Sequence, residues 1–190
     1  MRWAVVGLLG LASCMAPAPP ALPPVTAVPE GEVLPAGYPP KIGTVSALLD
    51  GKVAVWETYD FSVGAFDASA QFTGPKAAPE FRLLGFQPGQ PNLERNRVTM
   101  KGSGLGGALT DVLIEVVAGN NWDGLRLSSA GQTAALVLDQ VVRKDDSHGH
   151  AKGHFAATVC AANGMPVRVD TRYCQPISGT FETDFQYDTQ

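Results

Sequence analysis

The residue types best suited to chemistry crowd one stretch of the chain, which reads Asp145-Asp146-Ser147-His148-Gly149-His150-Ala151-Lys152-Gly153-His154. All 3 histidines of the protein, His148, His150 and His154, fall here. Imidazole nitrogens ligate Zn²⁺ and Cu²⁺, and neighbouring carboxylates can complete such a site. A plainer account fits the same residues. Residues 144–152 read as a polar hairpin turn in which Gly149 and Gly153 leave the backbone free to bend, so nothing gathers the ligands in advance. His154 is expected just past the turn, on a strand. The expectation is no resident cofactor and only weak, unselective binding of Zn²⁺ or Cu²⁺.

Other familiar chemistries find little support. Gly102, Gly104 and Gly107 match G-x-G-x-x-G, but that motif holds a pyrophosphate at a helix N-terminus, and residues 109–117 read as a strand. A flexible β-connection explains the glycines. The sequence contains no G-x-x-x-x-G-K-[ST] and no G-x-S-x-G. A serine triad would have to draw its base from the single histidine stretch. Paired carboxylates for glycoside cleavage leave no local signature, so an enzyme acting on glycan or lipid stands as an alternative. Trp56, Tyr59 and Trp122 are large enough to stack on a sugar, although such rings usually belong to a core. Trp122, in the turn-like run Gly119-Asn120-Asn121-Trp122-Asp123-Gly124, is the better candidate contact.

The N-terminus carries an address. Met1-Arg2-Trp3 is a minimal basic start, and residues 4–11 are an apolar run too short to span a bilayer but suited to a signal peptide. Leu11-Ala12-Ser13-Cys14 comes next, and it resembles the lipobox of bacterial lipoproteins. The resemblance covers the first 14 residues. It implies lipidation of the Cys14 thiol and cleavage before it, so residues 1–13 are expected to be the leader. Residues 14–40, with 9 of the 15 prolines beyond Cys14, are expected to be a disordered, extended linker. In polyproline II form, at about 3.1 Å per residue, it would hold a domain roughly 80 Å from the bilayer. Residues 41–190 remain for one domain of ordinary size. The implied location is the cell envelope, and Met15 after the cysteine points by analogy to the periplasmic face of the outer membrane. The implied partners are the membrane, through Cys14, and an envelope protein or glycan. Net charge is −4 with no basic stripe along the chain, which argues against nucleic acid.

With Cys14 assigned to lipid, Cys160 and Cys174 remain of the 3 cysteines. In an oxidising compartment such a pair is expected to form a disulfide, and the chain has no C-x-x-C spacing to suggest a redox or metal pair. Closing a loop of about 15 residues contributes about 3 kcal/mol on a chain-entropy estimate.

The elements that must position these groups read as strands. Charged residues are only 17%, glycines number 21, and no helical period persists. Asp50-Gly51 between apolar runs predicts a hairpin. Strand patterns appear at residues 61–72, 97–101, 109–117, 125–128, 134–142 and 154–160. The last run of the chain alternates, placing Ile177, Gly179, Phe181, Thr183, Phe185 and Tyr187 on one face. The proline-bearing segment 73–96 is expected to be a loop with a short helix. Together these predict an all-β fold, a single antiparallel β-sandwich or open barrel. The early Asp-Gly hairpin and the late G-x-F, Cys and Ile177-Ser178-Gly179-Thr180-Phe181 elements resemble small secreted β-sandwich lipoproteins of unknown function. The expected role is that of a non-catalytic envelope lipoprotein with a binding or structural domain. The alternatives are a periplasmic enzyme on glycan or lipid, and a metal-binding module using His148, His150 and His154.

Overall fold

The computed structural model describes residues 39–61, 68–91, 96–119, 125–163 and 167–189. The lipobox with Cys14, the linker up to residue 38, and Trp122 lie outside them. The described residues form eleven strands and no helix: β1 Lys41–Leu49, β2 Lys52–Tyr59, β3 Ala70–Gly74, β4 Glu80–Phe86, β5 Arg97–Ser103, β6 Gly107–Ala108, β7 Thr110–Ala118, β8 Leu125–Ser128, β9 Ala134–Arg143, β10 His148–Asn163 and β11 Arg168–Thr189.

Local chemistry accounts for the hairpins. Asp50 and Gly51 both have positive φ, 49° and 73°, the backbone of a type I′ turn whose twist matches its strands. β1 and β2 pair from Leu49↔Lys52 down to Lys41↔Tyr59. The segment expected to be a loop with a helix instead holds β4. Its prolines stand outside the strand, while Phe81 and Leu83 alternate into the core with no exposure. Of the strand expected over residues 61–72, β3 supplies the end, and residues 62–67 lie outside the described ones.

The strands are hydrogen-bonded in the order β2-β1-β11-β3-β4-β5-β7-β8-β10-β9-β6, with further pairings β2–β4 and β10–β11. One layer is β2-β1-β11-β10-β9-β6 and the other β3-β4-β5-β7-β8. The long strands β10 and β11 turn the corners between them, β10 reaching β8 at Cys160↔Ser128 and β11 reaching β3 at residues 186–189. The β11–β3 ladder is parallel, a departure from the purely antiparallel expectation. The core lies between the layers. Phe72 of β3 stacks near Phe81, Phe185 and Tyr187 with ring centroids 5.0, 4.9 and 5.2 Å away.

The β10–β11 ladder fits large residues against small ones. On its inner face Gly149 faces Phe185, Ala151 faces Thr183, Gly153 faces Phe181, and Phe155 faces Gly179. Here the glycines are required by space. A Cβ on Gly149 would run into the Phe185 ring, and one on Gly153 into the Phe181 ring and the Val137 carbonyl. The reading of these glycines as hinges of a flexible turn is therefore corrected. The turn spans only residues 144–147, and the strand begins at His148. The buried Thr183 hydroxyl is satisfied by Thr58 Oγ1 at 2.7 Å.

Cys160 and Cys174 are direct partners in the same ladder, with Cα atoms 3.9 Å apart, and form the disulfide. Beyond it Ala161 pairs with Asp170, so residues 171–173 bulge out of β11.

Gly153→Ala is expected to destabilise the domain by about 1–3 kcal/mol through overpacking. Urea unfolding would show a lower midpoint at unchanged slope. In a double-mutant cycle with Phe181→Leu, the double variant should lose less than the two single variants together. Strict additivity would show that the ring does not impose the glycine.

Candidate functional site

With residues 149, 151, 153 and 155 facing inward, the alternation of β10 sends His148, His150, Lys152 and His154 outward. The ladder then decides what they meet. His150 is the partner of Asp184 and Lys152 of Glu182 on β11, while β9 contributes Asp139 beside His154.

These groups form a line in which basic and acidic side chains alternate. Lys144 Nζ is 2.8 Å from Asp184 Oδ2, and Asp184 Oδ1 is 2.7 Å from His150 Nδ1. His150 Nε2 lies 3.2 Å from Glu182 Oε1, which accepts Lys152 Nζ at 2.8 Å. His154 Nδ1 pairs separately with Asp139 Oδ2 at 2.9 Å. His148 Nδ1 meets Asp145 Oδ1 at 3.0 Å. That same oxygen accepts the Ser147 and His148 amides at 2.7 and 2.8 Å, which ties the turn together.

The electrostatic consequences fall on the carboxylates. The Lys152 hydrogen bond is the leading cause that holds Glu182 below its ordinary pKa, with His150 adding to it. Partial burial pushes Asp184 up, but hydrogen bonds from Lys144 and His150 outweigh it and the net direction is down. Asp145 is lowered chiefly by the Ser147 amide. All three are acids held in the charged form by their neighbours.

The line does not gather ligands around a point. Residues two and four apart on one strand face stand about 7 and 13 Å apart, while Zn²⁺ needs its nitrogens about 2.1 Å from itself. Each ring turns to its own carboxylate, and the two carboxylates on His150 sit at opposite ring nitrogens. Among the described residues no group of three or more His, Cys, Asp and Glu could hold a metal ion.

The remaining candidates find structural places. Trp56 and Tyr59 are 4% and 0% exposed, so they belong to the core. Gly102 lies in β5, Gly104 in the connection that follows and Gly107 at the start of β6, the last two with positive φ. Beyond these glycines the chain enters β7, the strand expected there. Trp122 lies outside the described residues. At the disulfide, the bulge displays Arg172 and Tyr173, the latter 65% exposed. Asp170 grips the Arg172 guanidinium at 2.9 and 2.7 Å, and this holds the Asp170 pKa down to about 2.

The sequence reading missed a buried acid. Glu57, 9% exposed, accepts Lys41 Nζ at 2.7 Å, the Tyr59 hydroxyl at 2.5 Å and the Gly89 amide at 2.9 Å. Burial raises its pKa, but these three donors outweigh it and the net direction is down. The cluster bridges β2 to the segment after β4, beside the single contact Glu57↔Phe86. No local signal marks it, because its partners Lys41 and Gly89 lie 16 and 32 residues away. The same holds for Asp139, Glu182 and Asp184.

No protein-family model, curated protein or solved structure matches the chain.

The charge line has two measurable consequences. Asp184 and Glu182 have lowered pKa values in the fold, so the stability they contribute is present above their unfolded pKa and is lost as pH falls through the folded one. Stability should therefore decline in acid below the ordinary carboxylate range. Asp184→Asn should shallow that decline while costing at most about 1 kcal/mol at neutral pH, since the pair is partly exposed. Thermal melts across pH check both. A small molar excess of Zn²⁺ or Cu²⁺ should leave the melting temperature in place. A rise of several degrees that disappears in His148→Ala/His150→Ala would overturn this account.

Proposed function

We propose that this chain is a lipid-anchored protein of the bacterial cell envelope, cut before Cys14 and held to the membrane through that cysteine. Its β-sandwich is a non-catalytic binding or structural module for another envelope component. The observation that carries this reading is the pairing of the cysteines. Cys160 and Cys174 are consumed in a disulfide, and Cys14, the last of the 3, stands where a lipobox requires it. Disulfides persist in oxidising compartments, which favours export. The Pro-rich linker suits a spacer that carries the sandwich clear of the bilayer, and the residue after Cys14 favours the periplasmic face of the outer membrane by analogy.

A binding or structural role is favoured by how the reactive groups are spent. The histidines and their carboxylates lie along an open sheet face, locked to one another across strands. General acid–base work asks for a group aimed at a substrate. A rigid sheet bearing fixed charges is better suited to display.

Cys14→Ala should move the protein from the membrane pellet to the soluble periplasmic fraction, and the wild-type chain alone should take up labelled fatty acid. A variant that stays in the pellet would sink the anchor. Non-reducing peptide mapping of the exported chain should recover the 160–174 linked pair.

A further inference from the structure

The disulfide divides the β10–β11 ladder into two parts that are held by different means. On one side the ladder runs from Val159↔Gln175 to His148↔Gln186 and is fastened from within. Phe155, Val159, Ile177, Phe181 and Phe185 there are at most 3% exposed. On the other side three pairs remain, Ala161↔Asp170, Ala162↔Val169 and Asn163↔Arg168. Among the described residues between the two cysteines none is buried. Ala161, Ala162, Val169 and Asp170 are half-buried, and Asn163, Val167, Arg168 and residues 171–173 are exposed.

The ties of this outer part are few. Ala161 pairs with Leu127 of β8, and Asp170 grips Arg172 within the same strand. An ion pair so exposed is screened by water. Two strands of three residues do not hold together in water by themselves. With no buried side chain, little apolar burial offsets the backbone entropy lost on ordering them. The covalent bond supplies the difference, because it keeps the two runs together even when they are not paired.

The two ends of the bond differ in access. Cys160 has no exposure and stands beside Ser128 of β8, whereas Cys174 is exposed at the base of the bulge. A thiol can therefore reach the bond from the Cys174 side, and disulfides open to solvent are the ones that exchange.

We propose that this disulfide is a redox-sensitive latch on the outer part of the ladder. Closed, it keeps residues 161–163 and 168–173 ordered and holds Arg172 and Tyr173 out on the bulge. Opened by a dithiol reductant, it lets these two runs come apart while the sandwich stays folded. This goes beyond the binding role proposed above and does not depend on it. One thiolate of the reductant attacks Cys174 Sγ and forms a mixed disulfide. The Cys160–Cys174 bond breaks, and Cys160 leaves as a thiolate that takes up a proton. The second thiol of the reductant loses its proton, attacks its own mixed-disulfide sulfur and releases Cys174, which is protonated in turn. The protein gains two electrons and two protons, and the dithiol becomes a disulfide. A reduced Cys160 is then a small thiol in an apolar site, which suits a free cysteine, so the core keeps its packing.

The test uses the purified full chain carrying Cys14→Ala, in which 160 and 174 are the only cysteines. Oxidised and dithiothreitol-reduced samples are compared without denaturant by amide hydrogen exchange, trypsin digestion and thermal melting. On reduction, exchange at residues 161–163 and 168–173 and cutting after Arg168 and Arg172 should each speed up by roughly tenfold or more. Residues 150–157 and 178–185 should keep their protection, and the chain should still melt in one cooperative transition. Cys160→Ala/Cys174→Ser should behave like the reduced chain, and reduction of the unmutated pair gives the same comparison without a core substitution. Unchanged exchange and cutting in a fully reduced sample would overturn the proposal. So would loss of protection along the whole ladder, which would make the bond a support of the entire fold, or a bond that dithiothreitol opens only after denaturation. No lipid and no partner enters the measurement, so its failure leaves the anchor and the binding role standing.

Discussion

The structure depends on the meeting of glycine and phenylalanine across the β10–β11 ladder. Gly149 lies under Phe185, Gly153 under Phe181, and Phe155 opposite Gly179. The rings are 1–3% exposed and form the middle of the core. Each pair admits one large partner and one absent side chain, so the strands can slide neither way without leaving a void or forcing an overlap. A slip of one residue would also turn every inward side chain to solvent. Truncating one buried phenylalanine costs about 3–5 kcal/mol, whereas a partly exposed ion pair is worth about 0.2–1 kcal/mol. The core pairs therefore decide the register, and the charge line on the outside is its consequence.

From that ladder the other features derive. β11 also pairs with β1, which brings in the Asp50-Gly51 hairpin, and its far end turns the corner to β3. β10 turns the opposite corner at β8, beside the disulfide. The bond therefore fastens the ladder where β10 passes from one layer to the other. Glu57 closes a second seam. It ties Lys41 and Tyr59 to Gly89 after β4, at a place where β2 and β4 share one backbone pairing. An acid buried there is tolerable because three donors meet it. At the turn end, Arg143 lies 4.2 Å over the Tyr187 ring, and Tyr187 donates its amide to the Ser147 carbonyl at 2.7 Å.

Much of the fold was legible because it is written in short range. The Asp50-Gly51 turn needs two adjacent residues, and the inward set from Ile177 to Phe185 needs only a period of two. The cysteine pair was legible by elimination, with Cys14 set aside. The long-range features stayed hidden in the sequence. The glycines at 149 and 153 look like turn residues until the rings 28 and more positions away are laid over them. The acids that hold His150 and His154 come from 15 to 34 residues away. β4 was hidden by the prolines around it, although Phe81 and Leu83 carry the alternation. The cations of the second layer come from three strands, and no stretch of the chain looks basic.

The two outer faces show which outward residues the fold explains. Both belong to strands held in register from inside, and in both the outward side chains are free to vary without disturbing the core. On the first layer the freedom is used to pair: Lys144, Lys152 and all three histidines each stand against a carboxylate. On the second, Arg126 stands against Glu115 and Lys101 near Glu80, while Arg82 faces Lys101 across the ladder. Glutamine at position 82 would present the same β-surface without facing a like charge. Folding alone would favour the first arrangement on both faces. The second face also keeps acids beside its cations, so among the described residues the ladder pair Arg82↔Lys101 is the one place where the register, imposed from inside, sets like charges opposite each other.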